Sequence, residues 1–350
     1  MAARSIPRSL RLFLVALAVL AIGCSSAAPT TAPTIEPGAT SIIPTSAPPT
    51  SSEPTAAPVF PVTLTDDEGT QVTIPAEPQK IVSLTPATTE TLFAIGAGSR
   101  IVGKVQDPAN YPPEAAAIPE VATFAGVDVE KIIASGADLV VSGGTGLTQG
   151  DAVTQLRAAH IPVVVSYPTS IAGALRGIKL IGAAVGLPDA ANTLADQMQA
   201  EISALTRIAS TAPDQPRLFY EIDVTGGIFT PPANSIYGEM FLLAGSKPIA
   251  GDASYSISLE NLVAADPEVI LLGDAAYGAT ADAVGKRAGW EGMTAVKNGK
   301  IVAVDDIVIT RPGPRLVQGL YDLITAIHPG LTIDVPGMSF PAPAASVAPS

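Results

Sequence analysis

The sequence predicts an α/β protein of two lobes, each with a mainly parallel sheet flanked by helices, joined by one long helix. Short buried aliphatic runs alternate with helical patterns over 59–168 and again over 216–330. That alternation is the mark of strands feeding crossover helices. Residues 169–215 between them carry two long helical stretches and no strand. A phrase also recurs. "GVDVEKIIASGADLVV" (126–141) overlays "SISLENLVAADPEVIL" (256–271) with a shift of 130, setting Glu130 on Glu260, Ile132 on Leu262, Ile133 on Val263 and Ala134 on Ala264.

Taken in order, "FPVTLTDDEGTQVTIP" (60–75) alternates apolar and polar residues around Asp67–Gly69 and reads as a hairpin. "KIVSL" is a short buried strand. "TPATTETLFAIGAG" is a loop into a helix, with Thr88 a candidate cap and Gly96 or Gly98 a stop. "RIVGK" is a strand, "GVDVEKIIASGA" a short helix, "DLVVS" a strand, "AVTQLRAAHI" a helix and "PVVVSY" a strand. Helices follow over 169–185 and 188–211. In the second, Leu194, Met198, Leu205 and Ile208 share a face, and its length is about 36 Å at 1.5 Å per residue. In the second lobe "RLFYEI", "EVILLG" and "KIVAVD" are strands; "SIYGEMFLLAG", "SLENLVAA", "MTAVKNG" and "PRLVQGLYDLITAI" are helical.

The ends carry a different signal. Residues 1–23 combine Arg4, Arg8 and Arg11 with an apolar run from Leu12 to Ile22, too short for a comfortable membrane span, and read as a secretory leader. It ends "LAIGCSS", which resembles a bacterial lipobox, so Cys24 is the expected lipidation site and membrane anchor. Cys24 is also the only cysteine, which excludes an intrachain disulfide. Residues 24–58 continue into a tether of Pro, Thr, Ser and Ala. Such a segment cannot offset its ordering entropy by burial, and its 25–58 stretch could reach roughly 100 Å at ~3.1 Å per residue. Residues 331–350 have the same character and read as a disordered tail. The whole chain has 19 basic and 32 acidic side chains. Loss of the three leader arginines leaves 16 against 32, which argues against nucleic acid as a partner.

Five segments together resemble the substrate-binding proteins of ATP-binding cassette importers for cobalamin, haem and iron–siderophores. They are "PQKIVSLTPATTETLFAIGAG", "DPANYPPEA", "IPEVATFAGVDVEKIIASGADLVV", "SISLENLVAADPEVILL" and "RPGPRLVQGL", and the resemblance covers roughly 60–330. It implies a ligand cleft between lobes held by one rigid helix, no catalysis, and a monomer on the extracytoplasmic face of the cell membrane. The implied partner is a permease dimer with its ATPase subunits, docked through Glu130 and Glu260. A glutamate near a helix start also suits the helix dipole, which is the simpler reading of both. The implied cleft residues are Pro86, Tyr111 and Phe124 on the first lobe, and Tyr255, Asp306 and Arg311 on the second. Cobalamin binders of the family place a tryptophan shortly before the second glutamate, where this chain has Ser254–Tyr255.

Cobalamin is the first expectation for the ligand. Haem, which a tyrosine could ligate, and a ferric siderophore facing Arg311 are the alternatives. A ligand-sensing lipoprotein is a further one. The chain contains no GxSxG, HExxH or GxxxxGK[ST] motif, and only two histidines, His160 and His328, so neither hydrolase nor zinc chemistry is indicated.

Overall fold

A computed structural model describes residues 60–123, 125–144 and 150–340. The leader, Cys24, the tether, Phe124, residues 145–149 and the last ten residues of the expected tail lie outside the described residues. No helix among the described residues is long and apolar enough to cross a membrane.

The first lobe is a six-stranded sheet. Its central strand Ile81–Ser83 pairs in parallel with Ile101–Val105 on one side and Leu139–Ser142 on the other. Only the edge strand Gly126–Val127 is antiparallel. The second lobe has four parallel strands, with Arg217–Glu221 beside Val269–Leu272 at its centre. The hairpin Val62–Thr65/Gln71–Ile74 forms a separate ribbon. Its loop is fixed by Asp66, whose Oδ1 accepts from the Glu68 and Thr70 amides.

Strand alternation sorts the apolar side chains into three cores. Ile81, Leu139, Leu218, Tyr220, Val269 and Leu271 point inward, where one contiguous core takes in both sheets and the helices between them. The alternate residues fill a separate outer core in each lobe: Val82 and Val140 in the first, Phe219 and Ile270, packed with Trp290, in the second. The period of two along each strand dictates this division.

The helices Ile171–Ala184 and Pro188–Ala209 link the lobes. The longer has 22 residues, about 33 Å. It ends two residues short of the expected 211 because the chain turns through Ser210 into a Thr-Ala-Pro run. Met198, Ile202 and Leu205 on its buried face join the shared core.

The repeated phrase is a repeated structure. The edge strand Gly126–Val127, helix Val129–Ala134 and strand Leu139–Ser142 recur as Ser256–Ile257, Leu259–Ala265 and Val269–Leu272. Every element begins at the same offset. Both helices are capped alike: Asp128 accepts from the Lys131 amide at 2.9 Å, and Ser258 from the Asn261 amide at 3.1 Å.

Three expectations are corrected. Thr88 is not the cap of its helix; Thr85 is, and Thr88 returns a bond to the Thr85 amide in a capping box. Between the strand Ile301–Ala303 and the last helix, where the sequence predicts no element, Asp306–Thr310 is a short helix capped by Asp305. The tail does not fray at 331. Leu331, Ile333, Val335, Met338 and Phe340 pack on the core, and Phe340 stacks on Tyr321 at 4.3 Å between ring centroids. Apolar residues spaced among prolines let an extended segment bury alternate side chains without forming an element.

One buried pair gives a pH dependence. Leu272 lies opposite Glu221 in the sheet, and Asp274 follows at the strand end. Glu221 is fully buried and held by Arg287, whose Nη2 lies 2.9 Å from Oε1. Asp274 Oδ1 has no hydrogen-bond partner. Burial first, then the Glu221 charge, pushes the Asp274 carboxyl up to about 7. The folded state therefore keeps a proton that the unfolded chain releases near pH 4. That contribution is present below the unfolded value and is lost as pH rises through about 7. Urea unfolding from pH 5 to 8 should show wild type losing roughly 2–4 kcal/mol more than Asp274→Asn over that range. Parallel profiles for the two proteins would contradict it.

Candidate functional site

A cavity of about 580 Å³ lies between the lobes. It is within the usual size of small-molecule sites. The first lobe contributes the start of helix Pro86–Ala94 and the end of strand Val163–Val165; the second contributes Tyr237, Tyr255 and Asp306; the helix Ile171–Ala184 lines it with Ala174, Ile178 and Ile181. The walls come from loops at the carboxyl ends of parallel strands, where α/β sheets hold ligands.

Tyrosine supplies every aromatic ring of the lining. Tyr167, Tyr237, Tyr255 and Tyr277 all face the cavity. Tyr255 sits at φ 62°, a conformation that a bulky residue holds only when its surroundings impose it. Here Asp252 imposes it: Oδ1 accepts from the Ser254 and Ser256 amides at 2.8 and 3.0 Å, and its carbonyl accepts from the Tyr255 amide. Burial, then the charge of Asp306, pushes the Tyr237 hydroxyl up to about 12, so it stays a neutral donor. Asp306 accepts from the buried Tyr220 hydroxyl at 2.5 Å. Burial raises the Asp306 carboxyl despite that bond.

Pro86, Tyr255, Asp306 and Arg311 are thus brought to one cavity. Tyr111 is not among the lining side chains; its ring lies under the Arg315 guanidinium at 4.1 Å. Arg311 lines the cavity, but it is not free to face an anion. Its Nη1 donates to Asp107 at 2.9 Å and to Glu90 at 3.2 Å, and its Nη2 donates to Asp107 at 2.6 Å. Arg315 donates to both oxygens of Glu90, at 2.9 and 2.6 Å. Two arginines of the second lobe are therefore clasped by two buried carboxylates of the first. Burial pushes the Asp107 carboxyl up, but the bond and charge of Arg311 outweigh it and hold it below the ordinary value. The connector is tied to the second lobe as well, by the Ile171 amide donating to Glu239 at 2.8 Å.

Sequence reasoning missed Tyr167, Tyr237, Tyr277, Glu90 and Asp107. Tyr167, Asp107 and Tyr277 each lie within a few residues of a strand's carboxyl end, a signal that could have found them. Glu90, mid-helix in "TTETL", carries no such signal.

Residues 81–308 match the periplasmic binding protein family. The chain belongs to that family. YvrC of Bacillus subtilis strain 168, an uncharacterized ABC transporter substrate-binding lipoprotein, is 34% identical over 277 residues, covering 77% of this chain and 87% of its own. A cobalamin-binding protein of Halobacterium salinarum is 31% identical over 284 residues, covering 77% and 74%. Among solved structures, the apo form of the periplasmic heme-binding protein RhuT from Roseiflexus sp. RS-1 superposes with a TM-score of 0.63 at 28% identity, over 71% of this chain and 98% of that one. Periplasmic binding proteins bind solutes without catalysis, and this one has their two α/β lobes with the cleft between.

The clasp has a measurable cost of removal. Arg311→Ala strips Asp107 of its cation and Glu90 of one of two. Breaking buried pairs of this kind costs about 3–5 kcal/mol. The loss should be full in unfolding at pH 7. It should shrink as pH falls: without Arg311, burial is left to raise the Asp107 carboxyl, so the variant takes up its proton first, and wild type loses the pair's stabilisation only as pH falls through its depressed Asp107 value. A loss below about 1 kcal/mol at pH 7 would mean that the pair behaves as an exposed one.

Proposed function

We propose that this chain captures cobalamin at the outer face of the cell membrane and delivers it to an ABC permease. The observation that carries the ligand choice is the charge state of the tyrosine-lined cavity. Among the described residues, Arg311 is the one cation in the lining, and Glu90 and Asp107 already neutralise it. Haem brings two propionates and a ferric catecholate brings several negative charges. Either would enter with no spare cation to meet it, at a high desolvation cost. Cobalamin is a broad conjugated ring edged with neutral amides. It suits tyrosine faces for packing and the tyrosine, threonine and asparagine groups of the lining for hydrogen bonds. The similarity to a cobalamin-binding protein supports the same choice.

Anchoring is the second part of the reading. Cys24 carries the lipid, the segment to 58 is the leash, and Glu130 and Glu260 meet the two halves of the permease. The likeness to a substrate-binding lipoprotein supports this arrangement.

Cys24→Ser tests both parts in one preparation. The variant should leave the membrane fraction. Once purified, it should be stabilised saturably by cyanocobalamin, by about 2.7 kcal/mol at a hundredfold excess over Kd, with no effect from haemin or ferric catecholate. Stabilisation by haemin or the catecholate alone would overturn the ligand assignment. A Cys24→Ser chain that stays with the membrane would overturn the anchor.

A further inference from the structure

The repeated helices expose more than a glutamate each. In Val129–Ala134 one side chain, Ile132, is fully buried, and its counterpart in Leu259–Ala265 is Leu262. The five positions from each glutamate share one burial pattern: exposed, exposed, buried, exposed, exposed. The fourth of them is a large aliphatic in both lobes. Ile133 is 46% exposed and Val263 is 38% exposed. The fifth is alanine in both, Ala134 and Ala264, also exposed.

Helix geometry places these residues together. Positions i, i+3 and i+4 lie on one face, so Glu130, Ile133 and Ala134 form a single exposed surface, and Glu260, Val263 and Ala264 form its copy. Leu259, 38% exposed, adds to the second. Half of the exposed large apolar side chains among the described residues have another explanation. Tyr167, Tyr255 and Tyr277 face the cavity and Tyr111 lies under Arg315, which leaves Ile133, Leu242, Leu259 and Val263. Three of those four are on the two repeated helices. An exposed leucine alone means little. A β-branched aliphatic beside the same acid, in two places set by one internal repeat, does not arise from core packing.

We infer that each lobe presents a mixed contact, a carboxylate flanked by an aliphatic at i+3 and an alanine at i+4, to the matching half of a two-fold membrane permease. Each half of that partner carries a cation set beside an apolar recess. The inference rests on the importer reading above. It adds that Ile133 and Val263 supply binding strength that charge does not. The alanines keep the helix face low enough for the partner to reach both groups. Desolvation by the aliphatic neighbour strengthens the ion pair once the face is covered. The repeat explains why one short phrase is written twice: a two-fold partner needs the same contact from two places on a single chain.

The test measures binding of the full lipidated chain to its own cell's permease–ATPase complex in nanodiscs, at 0.1 M and 0.5 M KCl. The complex is the one that wild type binds. Ile133→Gln/Val263→Gln should weaken binding by about tenfold per position, with ligand affinity and melting temperature unchanged. The loss should persist at 0.5 M KCl, where exposed charges are screened and the apolar contribution is not. Glu130→Gln/Glu260→Gln should lose most of its affinity at 0.1 M and little more at 0.5 M. If the glutamine pair at 133 and 263 binds as wild type while the 130/260 variant fails, docking is ionic alone and the inference is wrong. If wild type binds no such complex, the importer reading fails first and this one falls with it. Ile133→Leu/Val263→Ile, which keeps the apolar surface, should bind as wild type; a loss there would point to backbone disturbance and also count against it.

Discussion

Glu90 is a carboxylate almost wholly removed from water, and the arrangement of the cleft depends on how its charge is met. An isolated charge in that position would be prohibitive, so the chain must bring cations to it. It brings Arg311 and Arg315, more than 220 residues later. Arg311 also reaches Asp107, which follows the neighbouring strand Ile101–Val105. First-lobe acids and second-lobe bases thus satisfy one another only when the lobes stand at one separation. Tyr111 under Arg315 and Gly313 against Ala87 fill the surroundings of the same junction.

The apolar side of the fold imposes the same separation. A lobe with its own closed core could swing freely on a linker. Here the inward faces of both sheets share one core with the helices between them, so opening the lobes would expose apolar surface as well as break ion pairs. The cavity is therefore largely formed before a ligand arrives. Two of its tyrosines are held by particular devices: the Asp252 turn behind Tyr255, and burial beside Asp306 around Tyr237. The helices that carry Glu130 and Glu260 each precede a central strand of their lobe's sheet, Leu139–Ser142 and Val269–Leu272. A ligand that barely moves the lobes would barely move the two carboxylates relative to each other.

Much of this was legible in the sequence, and the unread part has a common cause. The alternation of strands and helices, the long connector and the 130-residue repeat follow from local periodicity, and the repeat proved accurate down to element starts. Arg311 takes extended backbone before Pro312, as the restriction on a residue preceding proline requires. Its pairing with Glu90 and Asp107 was not legible, because nothing local distinguishes a glutamate at the buried centre of a helix from one on its surface. The tail 331–340 misled for the opposite reason. Its proline-rich composition is that of a disordered segment, but spaced apolar residues found a groove built by distant elements. The short helix Asp306–Thr310 was missed because prolines at 312 and 314 dominate the local pattern, and five residues are too few to show a period.

Small-angle scattering of the Cys24→Ser chain, alone and saturated with the chelate that stabilises it, bears most directly on a cleft preset by the clasp and the shared core. The account predicts that the two curves superimpose apart from a slight decrease in radius of gyration. A large compaction on binding, of the kind produced by hinge closure, would show that the lobes are not fixed before the ligand arrives and would contradict it.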